Sequence, residues 1–305
     1  MIGSEAGIRS ERPLLGASRR DTPGSTELDR AYAFCTALAQ SHYENFTIAS
    51  WLMPRAMRKH MHAIYAYARI ADDFADEDRD LAKLDDWGHQ LEAAYAGAPR
   101  DLVFVALADT VRKFEIPKEP FADLLVAFRS DVNFQGFYTL DDLLGYARNS
   151  ANPVGRLVLY LFGYRDDERQ HLSDLVCSGL QLANFWQDVA IDLGKGRIYI
   201  PRADLARFEI APDALGKPEI AAKFIALMRH EVAIARAMLL EGGNGLSRLV
   251  DRRLSRDILM FAGGGLAILR AIERVGYDVF ERRPKLEKWD YLKLGWSAIR
   301  GRLQN

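Results

Sequence analysis

From residue 28 onward, apolar residues recur at i, i+3 and i+4 almost without interruption, and no segment alternates as a half-buried strand does. That periodicity restricts the chain to an all-α fold. Helices are predicted over 28–43, 54–77, 81–96, 101–115, 118–134, 139–163 and 165–193. After a loop around Pro201 come 218–241, 246–275 and a shorter helix from about 286. Thr139, followed by Asp141 and Asp142, has the form of a helix start with acidic residues in its first turn. Pro153 falls inside the 139–163 segment and should kink it near Asn152, because proline lacks an N–H and clashes with the preceding turn. No repeat of 20–50 residues suggests a solenoid, and no spacer reads as a linker. The expectation is one all-α domain over 28–305, a helical bundle with a central cavity. It is preceded by a disordered extension over 1–27, where Arg9, Arg12, Arg19 and Arg20 mix with Pro, Ser and Gly.

Charge and composition exclude several classes of function. With 41 basic and 42 acidic residues the net charge is −1, which gives no overall field for nucleic acid. Residues 251–305 nevertheless carry 12 Lys/Arg against 7 Asp/Glu. This excess is read first as a solvated helix face; with Trp289, Tyr291 and Trp296 it is also what a peripheral contact with anionic lipid would use. The longest uncharged stretch near the end, Ile258 to Leu269, is twelve residues and too short to span a bilayer. Two cysteines, Cys35 and Cys177, make no CxxC, so a structural zinc is not expected and the reducing cytoplasm is the expected compartment. His60 and His62 stand at i,i+2, point to different sides of a helix, and are read as non-ligands.

The chemistry is concentrated in two segments. In Ala63 through Glu77, the residues Tyr65, Arg69, Asp72 and Asp76 fall at i, i+4, i+7 and i+11 and make one polar stripe. Asp72 and Asp76 repel each other across one turn, and a solvated helix end is the plain explanation for one such pair. A second copy makes that explanation insufficient. Gln181, Asn184, Asp188 and Asp192 share a face of a segment that is apolar on nearly every other side, including Leu182, Phe185, Trp186 and Val189. Such a helix is buried, and its carboxylates must be paired or bind metal. Two facing acidic pairs form an oxygen-lined site suited to Mg²⁺. A di-iron centre would need Glu-x-x-His pairs, which these helices lack.

These motifs resemble the squalene/phytoene synthase family of head-to-head prenyl synthases. The matching residues are Tyr65 through Asp76, Leu180 through Asp192, and Gly196-Arg197-Ile198-Tyr199-Ile200-Pro201. Phe46 with Leu52-Met53-Pro54, and Tyr146 through Gly155, occupy further motif positions, so the likeness spans roughly 40–290. The resemblance implies an isoprenoid-synthase bundle in which Asp72, Asp76, Asp188 and Asp192 hold two or three Mg²⁺ ions on a substrate diphosphate, with Tyr65 also catalytic. Arg69, Arg197 and Tyr199 would contact the diphosphate. Tyr43, Asn45, Phe46, Asp131, Asn152, Asn184 and Gln187 complete the expected substrate-binding set. Candidates for an aromatic wall against a carbocation are Tyr43, Phe46, Tyr65, Phe128, Phe134, Phe185 and Trp186, each of which could equally be plain core.

The departures narrow the resemblance. Gln187 stands where the family has Arg, Ser150-Ala151-Asn152-Pro153 replaces its Ala-Gly pair, Ala127 through Asp131 keeps only the Asp of Gly-Met-x-x-Asp, and Asn45 through Ser50 replaces the usual Ser-Phe opening. The combination resembles the bacterial hydroxysqualene synthase branch of hopanoid biosynthesis. That branch takes presqualene diphosphate and ends the cation with water, so no NADPH is expected; Asn45, Asn152 or Gln187 could place the water. Gly242-Gly243-Asn244-Gly245 and Gly263-Gly264-Gly265 follow no strand and do not read as a dinucleotide fingerprint. The alternatives are a presqualene diphosphate or phytoene synthase and, more remotely, a non-catalytic helical scaffold.

Overall fold

The computed structural model describes residues 26–41, 53–286 and 303. The helices are α1 (Glu27–Ser41), α2 (Arg55–Asp76), α3 (Leu81–Tyr95), α4 (Leu102–Phe114), α5 (Glu119–Val132), α6 (Leu140–Ser150), α7 (Asn152–Leu161), α8 (Asp167–Gly194), α9 (Arg202–Arg207), α10 (Ala221–Leu249) and α11 (Arg252–Arg274). Two short 3₁₀ turns precede α10, and there is no strand among the described residues. The all-α expectation holds. No described helix is long and apolar enough to cross a membrane. Of the expected extension over 1–27, residues 1–25 lie outside the described residues and Glu27 already begins α1; the helix after 286 and the aromatic residues Trp289, Tyr291 and Trp296 also lie outside them.

Local chemistry sets the helix ends. Thr139 and Asp142 form a reciprocal capping box at the start of α6, as the sequence suggests. Asp80, Asp101, Asp166 and Asp251 accept from backbone N–H groups in the first turns of α3, α4, α8 and α11. Two expectations need correction. The 139–163 segment is broken into α6 and α7 at Ala151 rather than kinked, with Pro153 in the first turn of α7, where a missing N–H costs nothing. The predicted gap between 241 and 246 does not exist, since α10 runs on to Leu249. Its glycines serve close packing instead. A Cβ on Gly242 would meet the Leu172 carbonyl oxygen at 2.7 Å, and one on Gly245 would meet Leu172 Cδ2 at 2.7 Å. The chain turns between the end of α10 and the Asp251 cap.

Side chains bury into two main clusters. One gathers Tyr67, Ala71 and Ala75 of α2 with Trp87, Phe104 and Phe121 from α3, α4 and α5. The other gathers Leu182, Trp186 and Val189 of α8 with Leu227, Leu239, Leu259 and Leu266 from α10 and α11. Helix α8 packs along α7, α10 and α11, which accounts for its apolar character on most sides. Each aspartate motif is therefore rooted in a different core.

Candidate active site

Helix α2 ends on the first acidic pair and α8 on the second. Gly196, with φ of +74°, reverses the chain after α8, and the Arg197 N–H donates back to the Asp192 carbonyl at 2.8 Å. That turn sends Arg197 toward α2, where its Nη2 donates to Asp76 Oδ1 at 3.2 Å. The Arg197 guanidinium also lies over the Phe134 ring, 5.9 Å from its centroid. Asp76, Arg79, Phe134, Lys195, Gly196 and Arg197 line a cleft of about 420 Å³.

Beneath the cleft is an aromatic bed. Phe185 and Tyr199 stack with centroids 3.8 Å apart and planes 12° from parallel. Phe134 and Phe137 pack against Tyr199, and Tyr146 lies between Phe137 and Phe185. Such π-faces stabilise a passing cation without offering a nucleophile. Of the aromatic candidates, Phe134 lines the cleft, while Phe185 is buried in the second core with one face on Tyr199. Trp186 is more enclosed still. It is fully buried within the second core, and Phe128 packs against the first.

Tyr146 donates from its hydroxyl to Asp131 Oδ2 at 3.0 Å, while Asp131 Oδ1 is buried without a hydrogen-bond partner. Burial pushes Asp131 up to about 7; Tyr146 and Arg197 oppose the rise, and Asp76 and Asp72 add to it. Burial, then Asp76, raises Asp72 to about 6, with Arg69 partly offsetting them. Asp192 is also raised, by burial and then by Asp188. Carboxylates that raise one another's proton affinity, one of them with an orphaned oxygen, have the donor chemistry of a hard-cation site and so fit the Mg²⁺ that the resemblance implies. The two pairs are nonetheless held separately here: no group of three or more His, Cys, Asp or Glu is close enough to hold a metal ion among the described residues.

The expected site residues fall into distinct places. Asp72, Asp76, Asp131, Asp188, Asp192, Arg69, Arg197 and Tyr199 belong to α2, α5, α8 and the loop after α8, as anticipated. Arg69 is half-buried and pairs with Asp73 more closely than with Asp72, which lies at 3.5 Å, so the polar stripe is shared with a residue the spacing did not select. Tyr65 is half-buried two turns before Asp72, with its phenol raised by burial. Asn184 is exposed on α8. Asn152 is buried and accepts from the Ser178 hydroxyl at 2.9 Å. Gln187 donates to the Pro284 carbonyl at 2.7 Å. Tyr43, Asn45 and Phe46 lie outside the described residues. Sequence reasoning missed Arg79 and Lys195 on the cleft, and Arg283, whose Nε and Nη2 donate to Asp188 at 2.7 and 3.2 Å. Lys195 adjoins the Gly196–Pro201 motif and was within reach; Arg283 stands 95 residues from Asp188 and carries no local signal.

Known proteins share this fold. A family model described as squalene/phytoene synthase matches residues 15–290. The crystal structure of squalene synthase HpnC from Alicyclobacillus acidocaldarius superposes with a TM-score of 0.79 at 42% identity, covering 82% of this chain and 96% of that one. A dehydrosqualene synthase in complex with ligand gives 0.81 at 25% identity, covering 90% and 97%. By sequence, the 15-cis-phytoene synthase of Synechococcus elongatus is 28% identical over 290 residues, 88% of this chain and 92% of its own length.

Proposed function

The chain belongs to the squalene/phytoene synthase family, and we propose that within it the protein is a hydroxysqualene synthase of hopanoid biosynthesis, converting presqualene diphosphate and water to hydroxysqualene and diphosphate. The observation that carries the squalene branch of this reading is the 42% identity to a squalene synthase, against 28% and 25% for the phytoene and dehydrosqualene synthases compared above. Gln187 and the Ser150–Pro153 segment, where the chain leaves the general family pattern, agree with it.

In this reaction the carbon–oxygen bond to diphosphate breaks and its electron pair leaves on oxygen. The cyclopropylcarbinyl cation rearranges with ring opening, water forms the new carbon–oxygen bond, and one proton passes to the released diphosphate. No electron donor is consumed, so the proposal includes no NADPH. Asp72, Asp76, Asp188 and Asp192 would hold Mg²⁺, which when bound supplies positive charge to the departing oxygens. Arg197, Lys195 and Arg79 add fixed cationic charge on the cleft. Phe134 and Phe137, half-buried beside the Phe185–Tyr199 stack, would offer π-faces to the cation and few nucleophilic atoms to trap it early. Asp131 keeps Tyr146 oriented through its hydroxyl.

The purified protein should release diphosphate from presqualene diphosphate with Mg²⁺ alone and place ¹⁸O from labelled water in the product hydroxyl, while farnesyl diphosphate reacts poorly. Condensation of farnesyl diphosphate with presqualene diphosphate left intact would instead make it a presqualene diphosphate synthase. Phytoene formed from geranylgeranyl diphosphate would make it a phytoene synthase.

A further inference from the structure

Two consecutive residues of α8 grip two consecutive residues of the segment that follows α11. Gln187 Nε2 donates to the Pro284 carbonyl at 2.7 Å, and Asp188 accepts from Arg283 Nε and Nη2 at 2.7 and 3.2 Å. The segment is fixed at its root as well. Phe280 packs on Phe224 with centroids 4.8 Å apart, the Asp278 side chain accepts from the Phe280 and Glu281 N–H groups, and Arg274 Nη2 donates to the Lys285 carbonyl at 3.3 Å. Residues 275–285 therefore form a strap that leaves α11 and returns to the acidic end of α8.

The two grips differ in kind. The one from Gln187 runs from a neutral amide to a carbonyl, so it adds no second cation beside Arg283 and does not depend on the charge state of the site. The one from Arg283 is a fork on a carboxylate, with both Asp188 oxygens engaged. A carboxylate held this way offers a cation only its remaining lone pairs, and the guanidinium charge beside them competes with the incoming ion.

We propose that the strap is a latch on the second aspartate motif: Arg283 guards Asp188, a divalent cation must displace it, and Gln187 is the positioning residue that keeps the strap in register. This rests on the reading of Asp188 as a metal ligand but not on which prenyl diphosphate is the substrate. In the cation-free protein the fork offsets the repulsion between Asp188 and Asp192. In the loaded protein the displaced guanidinium stays beside the acidic end of α8, because the Pro284 carbonyl remains tied to Gln187.

The test uses the full chain and Mn²⁺ alone as the probe, with no substrate. Opening the fork with Arg283→Gln should tighten Mn²⁺ binding about three- to tenfold, the range set by an exposed but bidentate ion pair. Adding Asp188→Asn to that variant should remove the gain. Gln187→Met, which keeps the length of the side chain and loses the donor, should give a smaller gain in the same direction. It should also hasten trypsin cleavage after Arg282 and Lys285 in the cation-free protein, with the melting temperature little changed. Equal Mn²⁺ affinity in wild type and Arg283→Gln would overturn the latch, as would a gain that survives Asp188→Asn. Unaltered cleavage in Gln187→Met would remove Gln187 from it. These readouts do not involve presqualene diphosphate, so inactivity toward that substrate would fail the functional proposal alone.

Discussion

Arg197 crosses the cleft to Asp76 and joins residues 121 positions apart through a single 3.2 Å hydrogen bond. Asp76 is about half exposed, so the ion pair contributes little to stability. Its value is placement: the guanidinium sits over Phe134 and at the edge of the cleft. Arg197→Ala should lower kcat/KM for the prenyl diphosphate substrate by roughly 10²-fold, the loss of one charge-stabilising contact. Steady-state diphosphate release and a thermal melt, the latter shifting by no more than about 2 °C, check the two halves of this expectation.

Asp131 trades stability for site chemistry. Its Oδ1 is buried and unpartnered near Asp72 and Asp76, so Asp131→Asn should raise the melting temperature of the metal-free protein by a few degrees, corresponding to roughly 1–2 kcal/mol. The same variant should turn over more slowly. Differential scanning fluorimetry in EDTA, paired with an activity assay, would detect an Asp131 that merely supports the fold, because the melting temperature would then fall.

Glu231 on α10 gives a stability signal independent of the site. It is fully buried, and burial, followed by the Asp204 carboxylate, pushes it up to about 8. The folded state therefore keeps a proton that the unfolded chain releases near 4.5. Stability from this group is complete below 4.5, declines as pH rises from there to about 8, and is level above. Glu231→Gln should abolish most of that decline, on the order of 2–4 kcal/mol. Urea unfolding at pH 5 and pH 8 measures it, and parallel losses in variant and wild type would contradict it.

Two glycines of neighbouring helices should respond oppositely to alanine. Gly242→Ala drives a methyl into the Leu172 carbonyl and the Val176 N–H, both backbone atoms under 3.0 Å away, and should cost about 1–3 kcal/mol. Gly264 in α11 has nothing within 4 Å, so Gly264→Ala should stabilise by about 0.5–1 kcal/mol through helix propensity. Chemical denaturation of both variants is sufficient.

What could be read in the sequence depended on whether the signal was local. The capping box at Thr139 and the one-turn spacing of Asp72 and Asp76 are written in adjacent residues, and the structure shows the helices they specify. The glycines at 242–245 misled, since a glycine selected for helix contact looks in sequence like one selected for a turn, and only Leu172 and Val176 on α8 distinguish them. Arg283 was invisible for the complementary reason: a basic residue in a basic stretch acquires meaning only when the fold brings it to Asp188. Gln187 was noticed because it departs from a family pattern, yet its contact with Pro284 could not be inferred from that departure.

The two aspartate motifs grow from separately packed cores, Asp72 and Asp76 on a helix of one and Asp188 and Asp192 on a helix of the other. A ligand that touches both pairs is thus more than a guest. Such a ligand would act as a keystone, adding to the Arg197–Asp76 hydrogen bond a further tie between the two cores for as long as it is bound. Rigidity would then rise and fall with each catalytic cycle, loosest when product has gone and stiffest when the next diphosphate has been seated.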